Sequence, residues 1–160
     1  MKLILLIILL AFTRFIYAQD VDRPGAHDHH RHHIGLGAGA TSIFNENNLV
    51  PGIHLHYYYR LTEHSPVSVG LGYESILDDH THNTLTSLIN YEFMEGFSLS
   101  AGPGLTFAKE EGKTHTSLSG HLELLYEFRL GEFHLGPMIG LGIDREDSHA
   151  SVGIHFGFGF

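Results

Sequence analysis

Five histidines fall within seven residues, His27, His29, His30, His32 and His33, with Asp28 and Arg31 between them. Neutral imidazole suits Zn, Cu and Ni, and closely spaced rings on a pliable segment can offer two to four nitrogens to one ion. The run is therefore expected to hold a divalent transition metal; the competing reading is a solvating polar tail. A second polar run, Asp78, Asp79, His80 and His82, also carries donors, but an ordinary hydrophilic loop explains it more simply. His54 and His56 share one face at i, i+2 and can join His121 and Glu123, with structural hydrogen bonding the plainer role for all four.

Other chemistry is sparse. No nucleophile elbow, phosphate loop or paired-carboxylate motif appears, so an enzyme is not expected. The absence of Cys excludes disulfides and thiolate metal sites. Without Lys2 and Arg14, seven basic residues face 18 acidic ones, a formal charge of −11 that gives no electrostatic case for nucleic acid binding.

The elements that must position these residues repeat one pattern. In Ser151 to Phe160, Val152, Ile154, Phe156, Phe158 and Phe160 are apolar while the residues between them are Gly or His, the period-two alternation of a strand with one apolar face. The same alternation recurs seven more times, over His33 to Phe44, Gly52 to Leu61, Val67 to Leu77, Leu85 to Met94, Phe97 to Lys109, Thr116 to Leu130 and Phe133 to Asp144. Each segment is close to the ~9–11 tilted residues that cross a bilayer as a strand. The connections after even-numbered strands include the pairs Glu95-Gly96 and Gly131-Glu132, while those after odd-numbered strands are mostly longer and polar. That parity predicts an all-β fold, an eight-stranded antiparallel up-and-down transmembrane β-barrel with short periplasmic turns and longer outer loops. Pro103 and Pro137 each remove a ladder donor, so local bulges are expected there.

One face of every segment is free of charge and the other is polar. Arg60, Glu74, Glu92, His121, Glu123, Glu127 and Arg129 fall on the polar face and are expected to form a lumen network, with Arg60 and Arg129 pairing with Glu92 and Glu127. An eight-stranded barrel is just wide enough to be filled by its own side chains, and buried charges must be paired, so a conducting pore is not expected.

At the N-terminus, Lys2 precedes the apolar run Leu3 to Phe12, and Ala18 precedes polar Gln19 and Asp20, the layout of a cleavable secretory signal. The expected organisation is a signal over residues 1–18, a His-rich periplasmic segment over 19–33 and a barrel over 34–160.

Signal, eight alternating segments, loop parity and terminal Phe160 together resemble the small outer-membrane β-barrels of the outer-membrane protein A transmembrane-domain type. The phrases HHIGLGAG, PGIHLHY and GEFHLGP are also similar to those of Bacteroidetes-like outer-membrane proteins with His-rich starts. The resemblance implies location in the outer membrane of a Gram-negative bacterium, contact with its lipid, and recognition of the C-terminal strand by the barrel-assembly machinery. The protein is expected to be monomeric, with a structural or binding role in the envelope and no cofactor beyond Zn, Cu or Ni on its histidines. The alternatives are a narrow channel and a lipid-modifying enzyme. His149-Ala150-Ser151 resembles the His-x-Ser of lipid A deacylases, but no Asp or Glu follows it to orient the base.

Overall fold

Strict alternation forces a sheet whose two faces meet different surroundings, and closing that sheet on itself satisfies every backbone group without an exposed edge. The computed structural model describes residues 30–45, 48–62, 65–78, 82–110, 113–145 and 148–160. The expected signal, His27, His29, Asp79 and His80 lie outside the described residues. Among those described, the strands are β1 (His32–Ile43), β2 (Asn48–Arg60), β3 (Val67–Ile76), β4 (His82–Met94), β5 (Phe97–Glu110), β6 (Lys113–Tyr126), β7 (Phe128–Leu130), β8 (Phe133–Ile143) and β9 (Ser148–Gly159). Sequence neighbours pair antiparallel except β6 and β7, and β1 pairs with β9 to close the barrel. β6 and β7 both pair with β8 and together make one stave, so the staves number eight.

The stave expected over Thr116 to Leu130 is interrupted at Glu127, and the cause lies in β8. Leu125 pairs with Met138 and Phe128 with Leu135 in one unbroken register, leaving Tyr126 and Glu127 opposite Pro137 and Gly136. Pro137 has no N–H for that side of the ladder. The arrangement repeats at Gly102-Pro103, where Thr86 pairs with Gly104 and Ile89 with Ala101 but Ser87 and Leu88 form no bridge to β5. The expected bulges at the two prolines are therefore corrected: the ladder skips two residues without inserting one. The register shift falls between Glu92 and Met94 instead, beside the Glu95-Gly96 turn.

The expected contrast in loop length also shrinks. β2 begins at Asn48, β4 at His82, and β5 and β6 run to Glu110 and from Lys113, leaving only 111–112 between them. Above the lipid both faces of a hairpin meet water, so polar residues such as Asn83 and Thr114 continue the ladder. At the other end Gly96 and Gly131 take φ of 74° and 72°, left-handed values that their two-residue turns require.

Following paired residues around the barrel from His32 through Tyr59, Val69, Ile89, Ala101, Leu122, Leu141 and Ala150 returns to β1 at Ser42. This ten-residue stagger reflects the tilt that closure demands. The outside is apolar, with Leu71, Ile89, Ile139 and Phe156 exposed on it. Tyr57, Tyr91, Phe93, Phe133, Phe156 and Phe160 are exposed towards the periplasmic ends, where an interfacial girdle belongs. Tyr126, expected on the lipid face by its parity, is instead covered by Phe97 and Phe128, with ring centroids 4.3 and 4.7 Å away. No described helix is long and apolar enough to cross a membrane; this barrel crosses with strands.

Candidate functional site: a histidine and carboxylate column in the lumen

Because alternate residues of each strand turn inward, the polar face of the sequence becomes a filled interior arranged in layers. At the periplasmic end Glu92 of β4 lies between two guanidinium groups. Arg60 Nη2 donates to Glu92 Oε2 at 3.1 Å, Arg129 Nη2 donates to Glu92 Oε1, and Arg60 Nη1 also donates to the Ser65 carbonyl at 2.8 Å. Glu127, expected beside the arginines, faces histidines instead: His33 Nε2 and His134 Nδ1 at 3.5 Å and His155 Nδ1 at 3.3 Å.

The next layer is sealed. Glu123, His56 and His155 are each 1% exposed. His54 Nδ1 lies 2.7 Å from Glu123 Oε2, His56 Nδ1 lies 3.9 Å from Glu123 Oε1, and the Nε2 atoms of His56 and His155 are 3.2 Å apart. Above them Glu74 Oε2 lies 3.7 Å from His121 Nδ1 and 3.2 Å from His149 Nε2. Tyr58 donates to Ser100 Oγ at 2.7 Å, and Ser100 passes the bond to Asn90 Oδ1 at 3.0 Å. Buried Ile43 and Ile76, with Thr41, Thr84 and Thr106, fill the outer end. Glycine makes room for the rings: a Cβ on Gly35 would sit 2.1 Å from His155 Nε2, and one on Gly157 would sit 2.3 Å from His33 Nε2.

The N-terminal histidines within the described residues do not share one site. His33 points into the lumen. His32 stacks outside on Phe160, centroids 5.2 Å apart, and its Nδ1 is 2.7 Å from the Tyr57 hydroxyl. His30 lies against Gly159. The barrel thus takes up the last two members of the run, because β1 begins at His32. In the second outer connection His82 Nδ1 is 2.6 Å from Asp78 Oδ2, and the His82 amide donates to Asp78 Oδ1, which closes the turn. His134 falls on the polar face and His149 in the candidate His-x-Ser, but the sequence does not pair either with the carboxylate it meets, Glu127 for His134 and Glu74 for His149. The signal for their inward parity is the Gly alternation around them, Gly136 beside His134 and Gly153 beyond His149.

No protein-family model and no curated protein matches the sequence. Solved structures do share its shape. The N-terminal β-barrel domain of Pseudomonas aeruginosa OprF superposes with a TM-score of 0.53 at 17% identity, covering 79% of this chain and 97% of that one. Neisserial surface protein A superposes with a TM-score of 0.53 at 7% identity, covering 81% of this chain and 96% of that one. A de novo designed transmembrane β-barrel gives 0.54 at 10% identity, covering 78% and 94%. With its apolar belt and sealed interior, the chain has the fold of the small eight-stranded outer-membrane β-barrels. Among these it resembles the OprF barrel domain and Neisserial surface protein A in architecture.

Proposed function

We propose that this protein sits in the outer membrane of a Gram-negative bacterium as a monomeric barrel with a structural or binding role in the envelope, and that its His-rich N-terminal segment holds divalent Zn, Cu or Ni. The filled lumen carries the reading. The Arg60–Glu92–Arg129 cluster occupies the periplasmic end and the buried histidine layers follow without a continuous passage. Such an interior supports anchoring and display over transport. Catalysis is left as the weaker reading: Glu74 meets His149 Nε2 as an acid orienting a base would, but Ser151 Oγ lies against Gly140 of the neighbouring strand. Ordinary insertion would proceed through the barrel-assembly machinery reading β9. Membrane fractionation, combined with metal content and detergent sensitivity of a deletion strain, tests the reading. An inner-membrane or soluble location would end it, and unchanged envelope metal in the deletion strain would remove its metal-holding part.

A further inference from the structure

The atoms left without hydrogen bonds in the lower lumen converge on one point. His33 Nε2, His134 Nδ1, His155 Nδ1 and Glu127 Oε1 are all buried, and none makes a hydrogen bond. Yet the three nitrogens stand 3.3–3.5 Å from that single oxygen. An N–H donor to a carboxylate closes to roughly 2.7–2.9 Å when it is aligned. Ligands sharing a tetrahedral zinc, with bonds of about 2.0–2.1 Å, stand about 3.3–3.4 Å from one another. The spacing here is that of ligands around an ion.

We propose that His33, His134 and Glu127 bind one divalent transition metal, zinc foremost, inside the barrel, with His155 beside the fourth coordination position. One donor atom from each of the three lies within 4.8 Å of the other two. Imidazole and carboxylate together suit Zn and also accept Cu or Ni. His155 is backed by His56, whose ring faces Glu123, the kind of relay that orients a ligand from behind. The side chains of His33, His134 and Glu127 keep 17%, 12% and 11% exposure, in contrast to the sealed layer above. The neighbouring trio His54, His121 and Glu123 is spaced differently. His54 and Glu123 stand 2.7 Å apart, a hydrogen-bond separation too short for two ligands of one tetrahedral ion. The site rests on the barrel reading above but not on metal binding by the His-rich segment, with which it shares only His33.

Full-length folded protein, stripped of metal in detergent, is titrated with cobalt(II), whose visible spectrum separates tetrahedral from octahedral coordination, and zinc then displaces the cobalt. One tetrahedral equivalent is expected in the lumen, in addition to any ion on the His-rich segment. Glu127→Gln and His134→Asn, checked for folding by heat-modifiable migration, should each weaken it by about 100-fold or more. A variant carrying Ala at positions 27, 29, 30 and 32 should keep it. Where the lumen variants fail to fold, X-ray absorption on the zinc-loaded four-alanine variant reads the same site directly, with mixed imidazole and carboxylate ligation expected. The proposal is overturned if the wild type binds no cobalt, if folded Glu127→Gln and His134→Asn bind as the wild type does, or if the zinc of the four-alanine variant lacks imidazole. Loss of binding in the four-alanine variant alone also overturns it, and leaves the His-rich segment as the metal holder.

Discussion

Gly136 opposes the break between β6 and β7 so closely that a Cβ built on it would sit 1.7 Å from the Tyr126 carbonyl oxygen. Gly102 meets the Ser87 carbonyl at the same 1.7 Å, and each glycine precedes a proline that faces the same gap in the ladder. The Gly-Pro pair thus works as a unit: proline removes the bond and glycine lets the neighbouring backbone move in. Glu127, the acid that meets three histidines, sits at one of these irregular points, where its amide donates sideways to the Gly96 carbonyl at 2.8 Å.

Gly136→Ala should therefore destabilise the barrel by about 3 kcal/mol, since backbone rather than a pliable side chain must shift. Gly120→Ala, with nothing within 4 Å of the added carbon, should be close to neutral. Gly131→Ala also meets open space but keeps a left-handed backbone, and should cost about 1–2 kcal/mol. Urea unfolding in lipid vesicles measures all three. Equal effects at positions 136 and 120 would contradict the close approach.

Glu92→Gln should cost about 3 kcal/mol, because it leaves Arg60 and Arg129 without their shared anion inside the barrel. The figure is set at the low end for a buried group because the three side chains keep 15–28% exposure. Replacing all three at once with Met, Leu and Met should cost less than Glu92→Gln alone, since no stranded charge remains. The same unfolding assay decides it; a triple variant weaker than the single one would show that the charges stabilise outright.

How much of this was legible follows from what each residue's partner depends on. Inward and outward positions depend only on a two-residue period, so Phe160 and His155 are read from the chain and found on opposite faces, 56% and 1% exposed. Cross-lumen partners depend on the stagger of the closed barrel, which no single strand encodes. That is why Glu92 attracts both arginines while Glu127, only two residues from Arg129, sits one layer higher among histidines. The outer strand ends were underestimated for a related reason, since polar residues there mark water, and water does not end a hairpin. Tyr126 kept its parity but not its exposure, because Phe97 and Phe128 cover it.

Phe160 takes part in closing the barrel. Its amide and carbonyl exchange bonds of 2.9 and 3.0 Å with His32, and its ring stacks on that imidazole. Phe160→Ala should lower the fraction of protein that reaches the heat-modifiable form in cells, and refolding from urea into detergent should be less affected. Equal losses in both would assign the residue to stability instead of recognition by the assembly machinery.

The sealed interior has an electrical consequence. In planar bilayers the protein should give no steady single-channel steps, because Ile43, Ile76, His56, Glu123 and His155 fill the cross-section over several layers. Regular steps of reproducible size would show that the layers part, and the narrow-channel reading would replace the structural one.

The His-rich run carries the remaining prediction, and it separates cleanly from the lumen. A peptide from Gln19 to Ile34 has no barrel to fold, yet its imidazoles should bind Zn, Cu or Ni at neutral pH. Protons compete for the same nitrogens near a pKa of about 6.5, so the ion should be released as the pH falls below ~6 and taken up again as it rises. In the intact barrel His32 is held against Phe160 and His33 is turned inward, so the peptide has two more free rings than the folded protein. Affinity for the peptide should thus equal or exceed that of the N-terminal run in the folded chain. Calorimetry at pH 7.5 and 5.5 on the peptide measures both effects, and a peptide that binds nothing at high micromolar metal would leave a solvated tail.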